Sequence, residues 1–131
     1  MKKTLLTIFI CAVFSTLQAQ ITVTDLRCES VVNPLGIAVS QPQFSWILTA
    51  ETNNVQQAAY ELLISDSEHL IKQDKGNCWE AKANSSNQTL NIAYAGTPLK
   101  SFTRYYWKVR IKDAKGNLSE WSPVAWFEAA M

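Results

Sequence analysis

The chain is poor in the residues that most often do chemistry. Of 131 residues one is histidine, three are cysteine, and glycine and proline contribute four each. The single histidine, His69, lies in a polar stretch with no nucleophile or metal partner beside it, which argues against a catalytic triad or a metal centre. Asp66 and Glu68 flank it. Nothing apolar surrounds them to raise a carboxyl pKa, so a solvated turn is expected rather than an acid–base pair. Neither Cys-x-x-Cys nor a Cys/His cluster occurs, and no zinc-type site is expected. A Gly-rich phosphate loop, a Gly-x-Ser-x-Gly elbow and a His-Glu-x-x-His helix are also missing, so no cofactor is expected. Internal repeats, low-complexity tracts and a sustained helical period are absent as well.

Long apolar runs are limited to one, Thr4 to Leu17, preceded by Lys2 and Lys3 and followed by Gln18-Ala19. A basic start, a short apolar stretch and a small residue at the cleavage point read as a bacterial-type secretory signal, residues 1–19. The run is too short and too early for a membrane span. Cys11 has no small-residue triplet before it that would indicate a lipoprotein. Export to the periplasm, the cell surface or the medium is therefore expected, with no membrane partner after cleavage. Residues 20–131 then form one domain, long enough to bury a core of its own. Losing Lys2 and Lys3 leaves ten Lys and Arg against eleven Asp and Glu, a formal charge of −1. Without a basic stripe beyond one strand face, nucleic acid is not an expected partner. Cys28 and Cys78 remain, and two cysteines of an exported chain could pair. Unpaired, core-type thiols are the expectation, because an aromatic-rich core needs no staple.

What is present is aromatic and alternating. Tyr105, Trp107, Val109 and Ile111 fall on one side of a two-residue period; Tyr106, Lys108, Arg110 and Lys112 fall on the other. That is a strand with one face in a core and one in water. Ala114-Lys115-Gly116-Asn117 predicts a turn, and a second aromatic-rich strand is expected to return from it through Leu118 to Pro123, closing a hairpin. Earlier alternations run over Ile21 to Glu29, over Phe44, Trp46 and Leu48, and over Ala58, Tyr60, Leu62 and Ile64. In the first of these Ile21, Val23 and Asp25 share a side opposite Thr22, Thr24 and Leu26. Trp79–Ala83, Gln88–Tyr94 and the segment carrying Val124, Trp126 and Glu128 are further strand candidates. Ser67–Gln73 is the one short helix candidate. Asn33-Pro34-Leu35-Gly36 and Ala95-Gly96-Thr97-Pro98 read as turns. Seven short strands with turn signals between them predict an all-β antiparallel sandwich of the immunoglobulin/fibronectin type III kind. Trp46 and Tyr105 are expected to meet between its sheets. The spacing of Leu99, Thr103 and Tyr105 fits a tyrosine hydroxyl that ties the late strand to the loop before it.

The five tryptophans need separate weighing, because aromatic faces can stack on sugar rings. Trp46 and Trp107 alternate with core residues and are expected inside. Trp79, Trp121 and Trp126, with the outward-read Tyr94 and Tyr106, are the candidate surface contacts, for a glycan or a neighbouring domain. The Asn-x-Ser/Thr triplets at Asn84, Asn87 and Asn117 are read as ordinary turn residues in a bacterial chain.

Several phrases, taken in order, resemble a known family. Leu26-Arg27-Cys28-Glu29, Val32 to Ile37 and Pro42-Gln43-Phe44-Ser45-Trp46 come first. Gln57 to Ile64, Tyr94 to Leu99, Tyr105 to Arg110 and Trp121-Ser122-Pro123 follow with similar spacing. Together they resemble the start of bacterial α-L-rhamnosidases of glycoside hydrolase family 78. The resemblance implies a fibronectin-like N-terminal module, ahead of further β domains and a helical barrel whose acidic residues hydrolyse terminal L-rhamnose. It carries no catalytic residue onto this chain, where no pair of carboxylates facing across a sugar pocket can be argued. A module of that kind would have the neighbouring domains of its parent glycosidase as partners, and would leave an apolar patch uncovered when isolated. The alternative is a free-standing secreted module that binds a glycan or a protein.

Overall fold

The computed structural model describes residues 20–52 and 54–130; the expected leader, 1–19, lies outside them. Seven strands and one short helix follow in chain order: β1 (Ile21–Cys28), β2 (Gln43–Ala50), β3 (Gln57–Ser65), α1 (Glu68–Lys72), β4 (Trp79–Ala83), β5 (Ile92–Ala93), β6 (Thr103–Asp113) and β7 (Ala125–Ala129). They form two sheets, β1-β2-β5 and β4-β3-β6-β7, antiparallel throughout. The predicted sandwich is observed.

The core lies where the inward parities of the two sheets meet. Phe44 and Trp46 from one sheet, and Leu62, Ile64, Trp107, Val109, Ile111 and Phe127 from the other, are each no more than 1% exposed. Phe44 is the hub, its ring centre 4.7 Å from that of Trp107 and 5.6 Å from that of Phe127. The expected meeting of Trp46 with Tyr105 is replaced by two other pairs. Trp46 sets its edge against Tyr60 at 5.2 Å, and Tyr105 stacks on Phe127 at 5.3 Å. The reason is lateral position. Trp46 lies toward the end where β3 begins, whereas Tyr105 lies near the start of β6, opposite Phe127. The Tyr105 hydroxyl accepts from the Lys100 N–H at 2.7 Å, so the expected tie to the preceding loop is present.

Three local devices depart from simple alternation. In β1 the register slips by one residue between Thr24 and Arg27, with Asp25 at φ 50°. This bulge reverses the parity. Leu26 and Cys28 therefore turn into the core while Asp25 turns away, contrary to the alternation expected there. On β3 the outward Leu63 and Ser65 are buried. Helix α1, capped by the Ser67 hydroxyl on the Leu70 N–H, packs on β3 and β6 and buries Ile71 completely. The predicted helix thus shields one end of a face expected to meet water.

The third device follows β6. The strand expected to return directly from the turn at 114–117 is not formed there: residues 119–124 form no strand, and the returning strand that pairs with β6 begins only at Ala125. Instead, Ser119 and Ser122 each donate a backbone N–H to β6, to the carbonyls of Ile111 and Val109 (2.8 Å each). Their hydroxyls accept the N–H groups of the same two residues at 2.9 and 3.0 Å. A serine oxygen thereby replaces the carbonyl that a paired strand would present, and two buried donors are satisfied. At the far edge, residues 33–37 run along β7. The Asn33 side-chain oxygen accepts from the Trp126 N–H (2.9 Å), and the Ile37 N–H donates to the Glu128 carbonyl (2.8 Å). Asn33 and Gly36 both adopt positive φ there, as the predicted turn requires. The edge is covered, which removes a template for strand addition.

Candidate functional site

The five aromatics read as surface contacts do not form one surface. Tyr94 is 3% exposed, so its outward reading is corrected. β5 pairs over only two residues, too few to set a parity, and the Tyr94 N–H is drawn to the Pro42 carbonyl. Its hydroxyl donates to the Thr97 carbonyl, and burial pushes its pKa up. Trp79 is half-buried, edge-on to Tyr94 at 5.3 Å and tilted against Phe44 at 6.4 Å. Gly96 closes this corner: a Cβ there would come within 2.4 Å of the Cys78 carbonyl oxygen and 2.7 Å of the Tyr94 hydroxyl. Trp79 and Tyr94 therefore extend the core.

Tyr106, Trp121 and Trp126 do share a face, the outer side of the four-stranded sheet. Tyr106 and Trp126 are direct cross-strand partners. The Arg104 guanidinium lies 3.9 Å from the centre of the Trp126 ring and donates to the Glu128 carboxylate at 2.6 and 2.8 Å. Trp121 projects from the serine-held segment over the neighbouring cations. The Arg110 guanidinium lies 4.4 Å and the Lys108 ammonium 5.0 Å from its ring centre. Arg110 is held in turn by Glu61 (2.9 Å), opposite it on β3, and Lys108 by Asp74 just beyond α1. The result is a belt of alternating cations and indoles closed by carboxylates. The contacts of Arg104 and Arg110 each contribute modestly, about 0.5–1 kcal/mol for an exposed cation–π pair, whereas Lys108 is itself buried.

The groups weighed for catalysis are occupied elsewhere. His69 is exposed and meets the Gln73 side-chain amide at 3.1 Å; Asp66 accepts from the Asn77 amide at 2.8 Å; Glu68 pairs with Lys72 one helical turn on at 3.1 Å. Among the described residues no group of three or more His, Cys, Asp or Glu is gathered to hold a metal. Cys28 is buried and Cys78 half-buried, and both are free thiols. Burial, helped by the Glu29 carboxylate, pushes the Cys28 thiol up to about 12.

One exposed residue escaped the sequence reading. Phe102, just before β6, is 87% exposed and has a φ of +54°. Its signal was an aromatic on the outward parity of the coming strand, masked by its place in the loop rather than in the alternating run.

These features define an immunoglobulin-type sandwich whose polar groups serve its own architecture. Residues 23–131 match the family described as Rha78A-like, N-terminal immunoglobulin domain, and the chain belongs to that family. It is 34% identical over 109 residues to an α-L-rhamnosidase of Streptomyces avermitilis, covering 83% of this chain and 10% of that protein. An α-L-rhamnosidase of Formosa agariphila is 32% identical over 123 residues, covering 94% of this chain and 13% of its own length. The solved α-L-rhamnosidase of Dictyoglumus thermophilum superposes with a TM-score of 0.80 at 36% identity, over 84% of this chain and 12% of that structure. The chain thus spans about a tenth of the relatives it matches.

Proposed function

We propose that this chain is the non-catalytic N-terminal module of an exported α-L-rhamnosidase, supporting the assembly of the domains that hydrolyse terminal L-rhamnose. One observation carries the reading: the chain corresponds to about a tenth of each relative bearing that activity in its name. The geometry agrees with a supporting role, since Glu128, Asp74 and Glu61 are taken up in ion pairs with Arg104, Lys108 and Arg110. Export rests on Lys2, Lys3 and the apolar run Thr4 to Leu17. The test is the size of the native polypeptide in source cells, read by immunoblot with an antibody to residues 20–131. A band several times larger than the domain is the expected result. A band at the domain's own size refutes the reading and favours a free-standing glycan- or protein-binding module, to be followed by calorimetry against rhamnose-containing polysaccharides.

A further inference from the structure

We propose that the end of the sandwich built from residues 34–40 and 97–102 docks the polypeptide that follows this module in its parent glycosidase, with Phe102 as the anchoring side chain. The inference rests on the reading of the chain as an N-terminal module, and adds which face is used and by what.

Three observations converge on this end. First, Phe102 presents an aromatic ring to water at 87% exposure on a backbone of positive φ. A bulky side chain in that region is strained, and such strain gathers at binding and switch sites. Second, the neighbouring surface is largely apolar. Leu35 and Val39 are 68% and 46% exposed, and a groove runs between the two loops, lined by Ile37, Val39, Pro98, Leu99 and Ala129. Ser40, Lys100 and Ser101 form its polar part. Arg104 and Glu128, close by, are already paired with each other, so covering this end leaves no new unpaired charge from them, and the exposed Lys100 at the groove is left for a carboxylate of the docked polypeptide or for solvent.

Third, the chain leaves from here. Thr103 pairs with Ala129, so Phe102 and Ala130 lie at the same sheet end. The Ile37 N–H donates to Glu128 and its carbonyl accepts from Ala130, both at 2.8 Å, in a parallel bridge. Polypeptide following Ala130 therefore starts beside Val39 and the groove. The family's domain is N-terminal by description, and relatives place nearly nine-tenths of their length outside the matched region. A tethered partner has a high effective concentration, so a small patch with one good anchor is enough.

Other exposed apolar residues lack this combination. Val31, Val32 and Val124 border the seam between β1 and β7, and Ile47 and Leu90 lie on or beside the three-stranded sheet. Leu118 pairs with Lys112, at the opposite end of β6 from Phe102. All of these residues are aliphatic.

Phe102→Cys and Ile47→Cys, each made in the 131-residue chain and in the full-length parent, test the proposal through maleimide labelling rates. The unsubstituted proteins supply the background from the native cysteines, which in the 131-residue chain are Cys11, Cys28 and Cys78. In the short chain both new thiols label at similar rates. In the parent, Phe102→Cys slows by more than about tenfold while Ile47→Cys changes by less than about threefold, as expected when only one site is covered. Labelling of Phe102→Cys in the parent at the short-chain rate, or slowed no more than Ile47→Cys, overturns the docking face and leaves the module reading intact. A native polypeptide no longer than this chain overturns both.

Discussion

Gln57 is the most consequential polar residue in the core. At 5% exposure its amide joins three parts of the chain. Its oxygen accepts from the Trp46 indole N–H (3.0 Å), and its nitrogen donates to the carbonyls of Ser86 (3.1 Å) and Gln88 (2.8 Å). Gln57→Met keeps the length and volume and removes all three bonds. The carbonyls of residues 86 and 88 lie in a partly exposed loop and can rehydrate. Trp46, 1% exposed, cannot. An orphaned buried donor costs about 1–3 kcal/mol, and each lost bond about 0.5–1.5 kcal/mol, of which the apolar Met returns a part. A net loss of about 2–3 kcal/mol is expected, lowering Tm by roughly 10–15 °C in a domain of this size. Urea unfolding of residues 20–131, with Trp46→Phe as the second arm of a double-mutant cycle, measures it. The two changes should couple by at least about 1 kcal/mol, because Trp46→Phe removes the donor that Gln57 satisfies. A loss below about 1 kcal/mol with no coupling would falsify the argument that this amide organises the core.

Three further outcomes are expected. Ser119→Ala and Ser122→Ala each leave a buried β6 N–H, that of Ile111 or Val109, without its hydroxyl acceptor; each should cost about 1–2 kcal/mol by urea unfolding, and neutral effects would show that water replaces the hydroxyl. Burial opposes ionisation of Asp113, but donors from Asn117 and Lys115 outweigh it and hold its pKa below 3.8. With the folded value depressed, its contribution is complete above about pH 4 and lost as pH falls further. The stability gap between wild type and Asp113→Asn should therefore narrow from pH 6 to pH 2, and a constant gap refutes the assignment. For Cys28 the sign is opposite. Its folded pKa is raised from 9.0 to about 12, so stability is intact below pH 9 and declines as pH rises toward 12. Alkylation of Cys28 at pH 8, followed by peptide mapping to separate it from the half-buried Cys78, should find a thiolate fraction of about one in ten thousand and proceed only through unfolding; rapid labelling of Cys28 in the folded chain contradicts it.

The sequence was legible where one rule governed many residues at once. Tyr105 to Ile111 alternates without interruption, and its inward set is the core set. The short helix candidate at Ser67–Gln73 is observed as α1, whose cap Ser67 forms. Legibility failed where a single residue changes parity or a partner chosen in three dimensions decides the outcome. The β1 bulge at Asp25 depends on how β1 seats on β2, and no turn residue announces it. Tyr94 belongs to a two-residue strand that has no period to read. Leu63 and Ser65 lie on the outward parity yet are buried, because α1 folds back over them. The outward reading of Tyr94 failed for a related reason: side-chain chemistry marks an aromatic as available for contact, while only packing tells whether its face is already taken.

That distinction also ranks the surfaces of the module. A ligand stacking on the cation-covered face of Trp126 must displace Arg104, which Glu128 also holds, and one on that face of Trp121 must displace Arg110, fixed by Glu61. Either displacement gives up a cation–π contact of about 0.5–1 kcal/mol together with an ion pair worth up to about 1 kcal/mol. Docking at the loop end breaks no such pairs. Phe102 is 87% exposed, and its burial removes an aromatic ring from water, which yields about 1.5–3 kcal/mol for a side chain of that size. The sheet face is stabilised by contacts within the module, and the loop end gains most from contact outside it. A module selected to hold other domains in place should conserve its energy in this way, with a self-satisfied face exposed to solvent and an unsatisfied aromatic beside the point where the chain moves on.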